Sequence, residues 1–128
     1  MFKAIGTVCL FVNDQDRAKN FWVNKAGFEL RSDMPMGPST RWVSVAPKGS
    51  YTEMILYKID ENWEHYRDVV GKSQAITIDV IDMNKVHDDL KAKGVKFVLE
   101  PEVQQWGTQA IIQDDEGNQV ILIQRAQM

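Results

Sequence analysis

The spacing of apolar and polar positions changes period several times along the chain, and each change marks an element. Residues 5–12 are apolar and rich in β-branched side chains and predict a strand, ended by Asn13-Asp14. Asp14 stands where a helix N-cap belongs. Ala18, Phe21, Trp22 and Lys25 then step at helical spacing, and Gly27 closes the helix. Strands are predicted over 28–31, 42–46 and 52–58, with a Pro/Gly loop over 34–40 and a hairpin turn at Pro47-Lys48-Gly49-Ser50. The pattern then begins again. Strand 75–80 leads to helix 83–93, where Val86, Leu90 and Lys93 share a face, and strands follow at 96–99, 108–113 and 119–124. Residues 114–118 form the last turn. Between the two runs, residues 60–71 carry Trp63, Tyr66, Val69 and Val70 at helical spacing and predict a short helix.

The order βαβββ thus occurs twice, and landmarks recur at one offset. Val12-Asn13-Asp14 is echoed by Val80-Ile81-Asp82 (82 − 14 = 68), and the turn glycine Gly49 by Gly117 (117 − 49 = 68). Gly27-Phe28 and Gly94-Val95 pair at 67, one deletion away. The whole chain, 1–128, reads as one domain made of module one (1–60), a connector (61–73) and module two (74–128).

Composition narrows the function classes. Lys and Arg number 15 against 18 Asp and Glu, a net charge of −3 with no basic cluster, so no nucleic-acid or membrane-surface partner is expected. The single cysteine, Cys9, excludes an internal disulfide and a cysteine-based zinc site. The N-terminal apolar run is too short to span a bilayer and lacks a cleavage pattern, so a cytoplasmic protein with a reduced thiol is expected. Gly-rich phosphate loops and a Gly-x-Ser-x-Gly elbow do not occur.

Val12-Asn13-Asp14, then Ala18-Lys19-Asn20-Phe21-Trp22 and Gly27-Phe28, resembles the opening of the vicinal oxygen chelate superfamily. That superfamily holds glyoxalase I, extradiol dioxygenases, fosfomycin-resistance enzymes and bleomycin-binding proteins. Asp114-Asp115-Glu116-Gly117-Asn118-Gln119-Val120 resembles its closing turn and strand. The resemblance implies an α+β fold: two βαβββ modules whose curved mixed sheets form a cup, helices on the convex face and a pocket on the concave one. It also implies a homodimer. The superfamily's four metal positions carry over to Thr7, Glu53, Ala75 and Ile121, a registration the 68-residue repeat also supports. Only Glu53 supplies a strong donor there. Thr7 offers a neutral hydroxyl and the other two nothing, so the usual metal site reads as dismantled and no cofactor is expected.

Alternation along strands brings neighbours into the same rows: Cys9 with Thr7, Tyr51 and Tyr57 with Glu53, and Thr77 and Asp79 with Ala75. Cys9, Glu53 and Asp79 form a conceivable improvised metal set, but Asp79 would lie on the order of 13 Å along its strand from Ala75. His65 falls in the connector and His87 on the exposed side of the second helix. Glu53 has two readings. It either pairs with Arg41 on the neighbouring strand, or sits in an apolar cup where burial suits it to proton transfer or to binding a ligand. Trp22 fits the core, while Trp42 and Trp106 border Pro/Gly-bounded loops and could wall a pocket. The resulting expectation is a small-molecule binder without metal, similar to the bleomycin-binding branch, with Thr7, Cys9, Trp42, Tyr51, Glu53, Tyr57, Thr77, Asp79, Trp106 and Ile121 lining its site. The alternative is an enzyme of the lyase, isomerase or dioxygenase kind, with Glu53 as catalytic base and either no metal or an unusual ligand set.

Overall fold

A computed structural model describes residues 1–38 and 41–126, the side chains of 61–63 excepted. Ser39 and Thr40 of the predicted loop, and the Trp63 side chain, lie outside the described residues. The chain divides into two compact units, Met1–Val70 and Gly71–Met128. Each carries one four-stranded mixed sheet.

In the first unit β1 (Thr7–Val12) leads through α1 (Gln15–Asn20) to β2 (Glu29–Pro35), β3 (Arg41–Ala46) and β4 (Glu53–Lys58). The sheet order is β1-β4-β3-β2, with β1 parallel to β4 and the other pairs antiparallel. Asp14 is the N-cap the sequence predicts, its Oδ1 accepting from the Arg17 amide at 3.0 Å. The predicted helix does not stay α-helical. Phe21–Lys25 widens into a π-turn, closed by the Ala26 amide donating to the Phe21 carbonyl at 2.9 Å. Phe21 and Trp22 are both buried by this turn, edge to face at 5.0 Å. Alternation sorts the sheet into faces. Leu10, Val12, Val43, Val45, Met54 and Leu56 are buried on the face toward α1. The helix is pinned there by Gln15, whose Nε2 donates to the Leu56 carbonyl at 2.8 Å and the Arg41 carbonyl at 3.0 Å.

The connector forms a 3₁₀ helix over Glu61–Val69. The second unit repeats the order with β5 (Ser73–Asp79), α2 (Met83–Ala92), β6 (Lys96–Gln104), β7 (Gly107–Gln113) and β8 (Gln119–Arg125), arranged β5-β8-β7-β6. Asp82 caps α2 through the Lys85 amide. Met83, Leu90, Val95, Phe97, Ala110, Ile112, Val120 and Leu122 form its core.

Two strands run further than expected, both through proline. β2 continues to Pro35 and β6 passes Pro101 to Gln104. Both are edge strands, where a missing amide hydrogen costs no ladder bond. Each also carries bulges, between Leu30 and Ser32 in β2 and on both sides of Leu99 in β6.

On the α1 side a charge cluster ties helix to sheet. Asp33 receives Arg41 Nε at 3.0 Å, Arg41 Nη2 at 2.9 Å and Lys19 Nζ at 2.8 Å, and Arg41 Nη1 reaches Asp16 at 2.9 Å. The Arg41 hydrogen bonds, then Lys19's, hold the Asp33 carboxyl down at about 2, against its ordinary 3.8. A depressed carboxyl stabilises the fold fully above its unfolded value and loses that contribution as pH falls through its folded value. These side chains are partly exposed, so solvent screening keeps the contribution below about 1 kcal/mol. Asp33→Asn should therefore lower the urea midpoint slightly at neutral pH and in low salt. The difference from the parent should vanish at about pH 2; a pH-independent difference would show that the ion pairs contribute nothing.

Candidate functional site

The face of the first sheet away from α1 gathers several of the predicted residues. The register β1 to β4 sets Thr7 opposite Glu53, Cys9 opposite Ile55 and Phe11 opposite Tyr57. Ser44 stands opposite Ile55 on the other side, so alternation puts Trp42 on this face and in the Tyr57 row. Tyr51 does not join them. It lies before β4 begins, largely exposed, with Lys3 Nζ 5.2 Å from its ring. Ser44, Ala46 and Ile55 form the buried floor, and the Ser44 hydroxyl makes no hydrogen bond among the described residues.

Phe11 ends the face in an aromatic wall. Its ring stacks on Tyr66 of the connector helix at 4.7 Å and 7°, and meets Tyr57 edge to face at 6.0 Å. Tyr66 was placed by sequence only as a helical apolar position. Which sheet residue it would cover depends on how the connector folds back, which helical spacing does not carry.

At the opposite end stands a residue the sequence reading missed altogether. Arg31 Nη1 lies 3.7 Å from Glu53 Oε2. Its Nε donates to Glu29 Oε1 at 3.1 Å and its Nη2 to the Pro47 carbonyl at 3.1 Å. Arg31 occupies the β2 bulge, which carries its side chain toward Glu53 across β3. The expected partner, Arg41, is instead in the cluster on the α1 side. Glu53 is thus half-buried beside a guanidinium rather than in apolar surroundings. The Cys9 thiol is pushed up by desolvation, so it stays protonated at neutral pH and is a poor nucleophile.

In the second sheet the 68-residue offset does not hold along the last strand. Ile121 pairs with Thr77, not Ala75. Ala75 lies in a bulge between Ser73 and Thr77 with a φ of +59°, a conformation side chains other than glycine seldom adopt. Glu53 begins β4, one residue before Met54, whose partner is Val45; in the second unit Gln119 begins β8, one residue before Val120, whose partner is Ile112. Gln119 therefore corresponds to Glu53, and Ile121 to Ile55. The hairpin loops explain the slip: residues 47–52 join β3 to β4, and the shorter 114–118 joins β7 to β8. The turn glycines stand at different places in them. Of the remaining expected residues, Asp79 shares an exposed ion pair with Arg125 at 3.4 Å, and Trp106 sits half-exposed in the turn between β6 and β7.

The fold's usual metal can be tested against these donors. A divalent ion needs several N or O donors in one shell. In the first unit the row offers one carboxylate and the neutral Thr7 hydroxyl, and a cation at Glu53 would face the Arg31 guanidinium. Among the described residues no group of three or more His, Cys, Asp and Glu converges. The row does not fit a divalent ion. The histidines are engaged elsewhere, His65 against the Tyr66 ring and His87 with Glu100 at 2.7 Å on the α2 side.

Comparison with known proteins gives consistent matches. The family model described as "Glyoxalase/Bleomycin resistance protein/Dioxygenase superfamily" matches residues 4–122. YetH of Bacillus subtilis (strain 168), itself uncharacterised, is 37% identical over 125 residues, covering 95% of this chain and 98% of YetH. The crystal structure of UcmS2 matches with a TM-score of 0.84 and 36% identity, covering 96% of this chain and 98% of that one. TnmS3, described as an antibiotic binding protein from Streptomyces sp. CB03234, matches with a TM-score of 0.85 and 30% identity over 98% of each chain.

Proposed function

The chain belongs to the glyoxalase/bleomycin resistance protein/dioxygenase superfamily, and from that premise we propose that it binds a small organic molecule, without metal, on the first sheet's face away from α1. The observation that carries this reading is the Arg31–Glu53 pair, which sets a positive charge beside the one strong donor of the expected metal positions. The rest of the face suits an organic ligand: an aromatic wall at Phe11 and Tyr57 at one end and polar groups at the other. Thr7, Cys9, Trp42, Glu53 and Tyr57 are the proposed contacts, with Arg31 and Phe11 added. The similarity to TnmS3, described as binding an antibiotic, supports the class of ligand. A homodimer and a cytoplasmic location belong to the same proposal. No helix among the described residues is long and apolar enough to cross a membrane.

Metal retention decides between this and the enzyme alternative. After incubation with Zn²⁺, Ni²⁺, Mn²⁺ or Fe²⁺ and desalting, plasma mass spectrometry is expected to find well under one metal per chain. Tryptophan quenching by members of a small-compound library should be saturable, with no product formed. One tightly held metal per chain, or turnover of a bound compound, would overturn the reading in favour of the enzyme.

A further inference from the structure

The Arg31–Glu53 pair has an unusual geometry for an ion pair. Two of the three guanidinium nitrogens are committed, Nε to Glu29 and Nη2 to the Pro47 carbonyl, and these two bonds fix the plane of the group. The third, Nη1, faces Glu53 at 3.7 Å, too far for a hydrogen bond. Neither Nη1 nor the Glu53 carboxylate makes a hydrogen bond among the described residues. Both side chains are three-quarters covered or nearly so, with relative exposures of 23% and 30%. A fixed donor and a carboxylate without a hydrogen bond therefore stand side by side, each with unused capacity among the described residues.

We propose that Arg31 and Glu53 read a neutral group presenting a donor and an acceptor on one edge, such as the cis N–H and C=O of a lactam. The acceptor takes a hydrogen from Arg31 Nη1 and the donor gives one to the Glu53 carboxylate. A carboxylate ligand would satisfy Arg31 but crowd Glu53, and an ammonium would do the reverse. The pair thus selects against both signs of charge, because each wrong ligand leaves one half-buried charge opposed or unsatisfied. Arg31 is on this view a specificity-determining residue of the binding face. The inference rests on the reading that this face binds small molecules.

Four flat probes of one size test it on the full chain: quinolin-2(1H)-one, its N-methyl derivative, quinoline-2-carboxylate and 2-(aminomethyl)quinoline. Amide shifts in β1 and β4 are followed by NMR titration. The lactam is expected to bind at least about tenfold more tightly than each of the others, the loss for one missing charge-assisted hydrogen bond. In Glu53→Leu, which leaves nothing to accept the lactam hydrogen, the preference over the N-methyl compound should collapse. In Arg31→Met, which removes the donor to the carbonyl both compounds share, both should weaken at least about tenfold. In each variant the dispersion of the spectrum stays that of a folded chain. Arg31→Lys, which keeps the charge but loses the anchored fork, should retain only part of the affinity that Arg31→Met loses. Tighter binding of the carboxylate or the amine, a preference over the N-methyl compound that survives Glu53→Leu, or a lactam affinity unchanged in Arg31→Met would overturn the proposal and leave the binding face intact. If none of the four shifts the β1 and β4 amides while a library compound that quenches tryptophan saturably does, the proposal fails and the binding reading stands.

Discussion

Gly107→Ala is expected to unfold the second sheet, at a cost of about 4 kcal/mol or more. Gly107 opens β7 with a φ of +147°, a backbone conformation that side chains other than hydrogen rarely adopt. The larger penalty is a collision. A Cβ there would stand 2.2 Å from the Gln124 carbonyl oxygen, 2.9 Å from the Ala126 amide nitrogen and 3.0 Å from the Arg125 Cα. All three are backbone, so no rotamer change can relieve the contact, and β8 would have to part from β7. The bond from the Ala126 amide to the Trp106 carbonyl, 2.9 Å, lies in the same corner and would go with it. Gly27→Ala is the control. Gly27 has a φ of +80° but nothing within 4 Å of its would-be Cβ, so only backbone strain of about 1–2 kcal/mol is at stake. Urea midpoints of the two variants, read with amide exchange in β7 and β8, separate collision from strain. A Gly107→Ala midpoint no lower than that of Gly27→Ala would mean the close approach does not exist.

Much of this architecture was legible in the sequence because its signals are local. Asp14 and Asp82 cap their helices as their positions ahead of apolar periodic runs predict, and alternation assigned the two faces of β1 and β4 correctly. Proline was the main source of error in the strands. Pro35 falls in the loop expected over 34–40 and Pro101 beyond the strand expected over 96–99, yet both sit in edge strands, and which strand is an edge is a property of the assembled sheet. The π-turn at Phe21–Lys25 was invisible for a related reason, since the spacing of Phe21, Trp22 and Lys25 suits either helix type over one turn.

The candidate site was legible only where the strands are regular. Thr7, Cys9, Glu53 and Tyr57 come together by simple alternation. Arg31 could not be found that way, because a bulge adds a residue to one strand and turns side chains away from the period-two pattern. The same limitation displaced Ala75. The 68-residue offset, which agreed with the positions carried over from the resemblance, matches Ile121 to Glu53, whereas loops of unequal length make Gln119 the counterpart of Glu53 and Ile121 that of Ile55 in the two sheets. A repeat offset holds across an element but not across a loop of different length.

Asn118→Ala should cost about 3 kcal/mol at neutral pH, and less in acid. Asn118 is wholly buried and joins the start of β5 to the last turn. Its Oδ1 accepts from the Gly71 amide at 2.7 Å and from Gln74 Nε2 at 3.0 Å, while its Nδ2 donates to Asp114 Oδ2 at 3.0 Å. Alanine strips all three bonds at once in a site water does not reach. The pH dependence comes from Asp114. Burial raises its carboxyl above the ordinary 3.8, opposed by hydrogen bonds from Asn118 and from the Glu116 and Asn118 amides. A raised carboxyl favours the fold below its unfolded value, and that contribution is lost as pH rises through its folded value. Removing the Asn118 amide takes away one of the bonds that stabilise the charged form, so the carboxyl rises further and the added loss falls on the neutral side. Urea midpoints of parent and variant should therefore differ more at neutral pH than below pH 3.8. Asn118→Asp sharpens the comparison, since it sets a second carboxyl against Asp114 and should be worst where both are ionised. A deficit of equal size at both pH values would mean that Asp114 takes no part in the clamp. Because the clamp also holds Gly71 and Gln74 just ahead of the Ala75 bulge, its loss should speed amide exchange in β5 before β7 or β6 is affected.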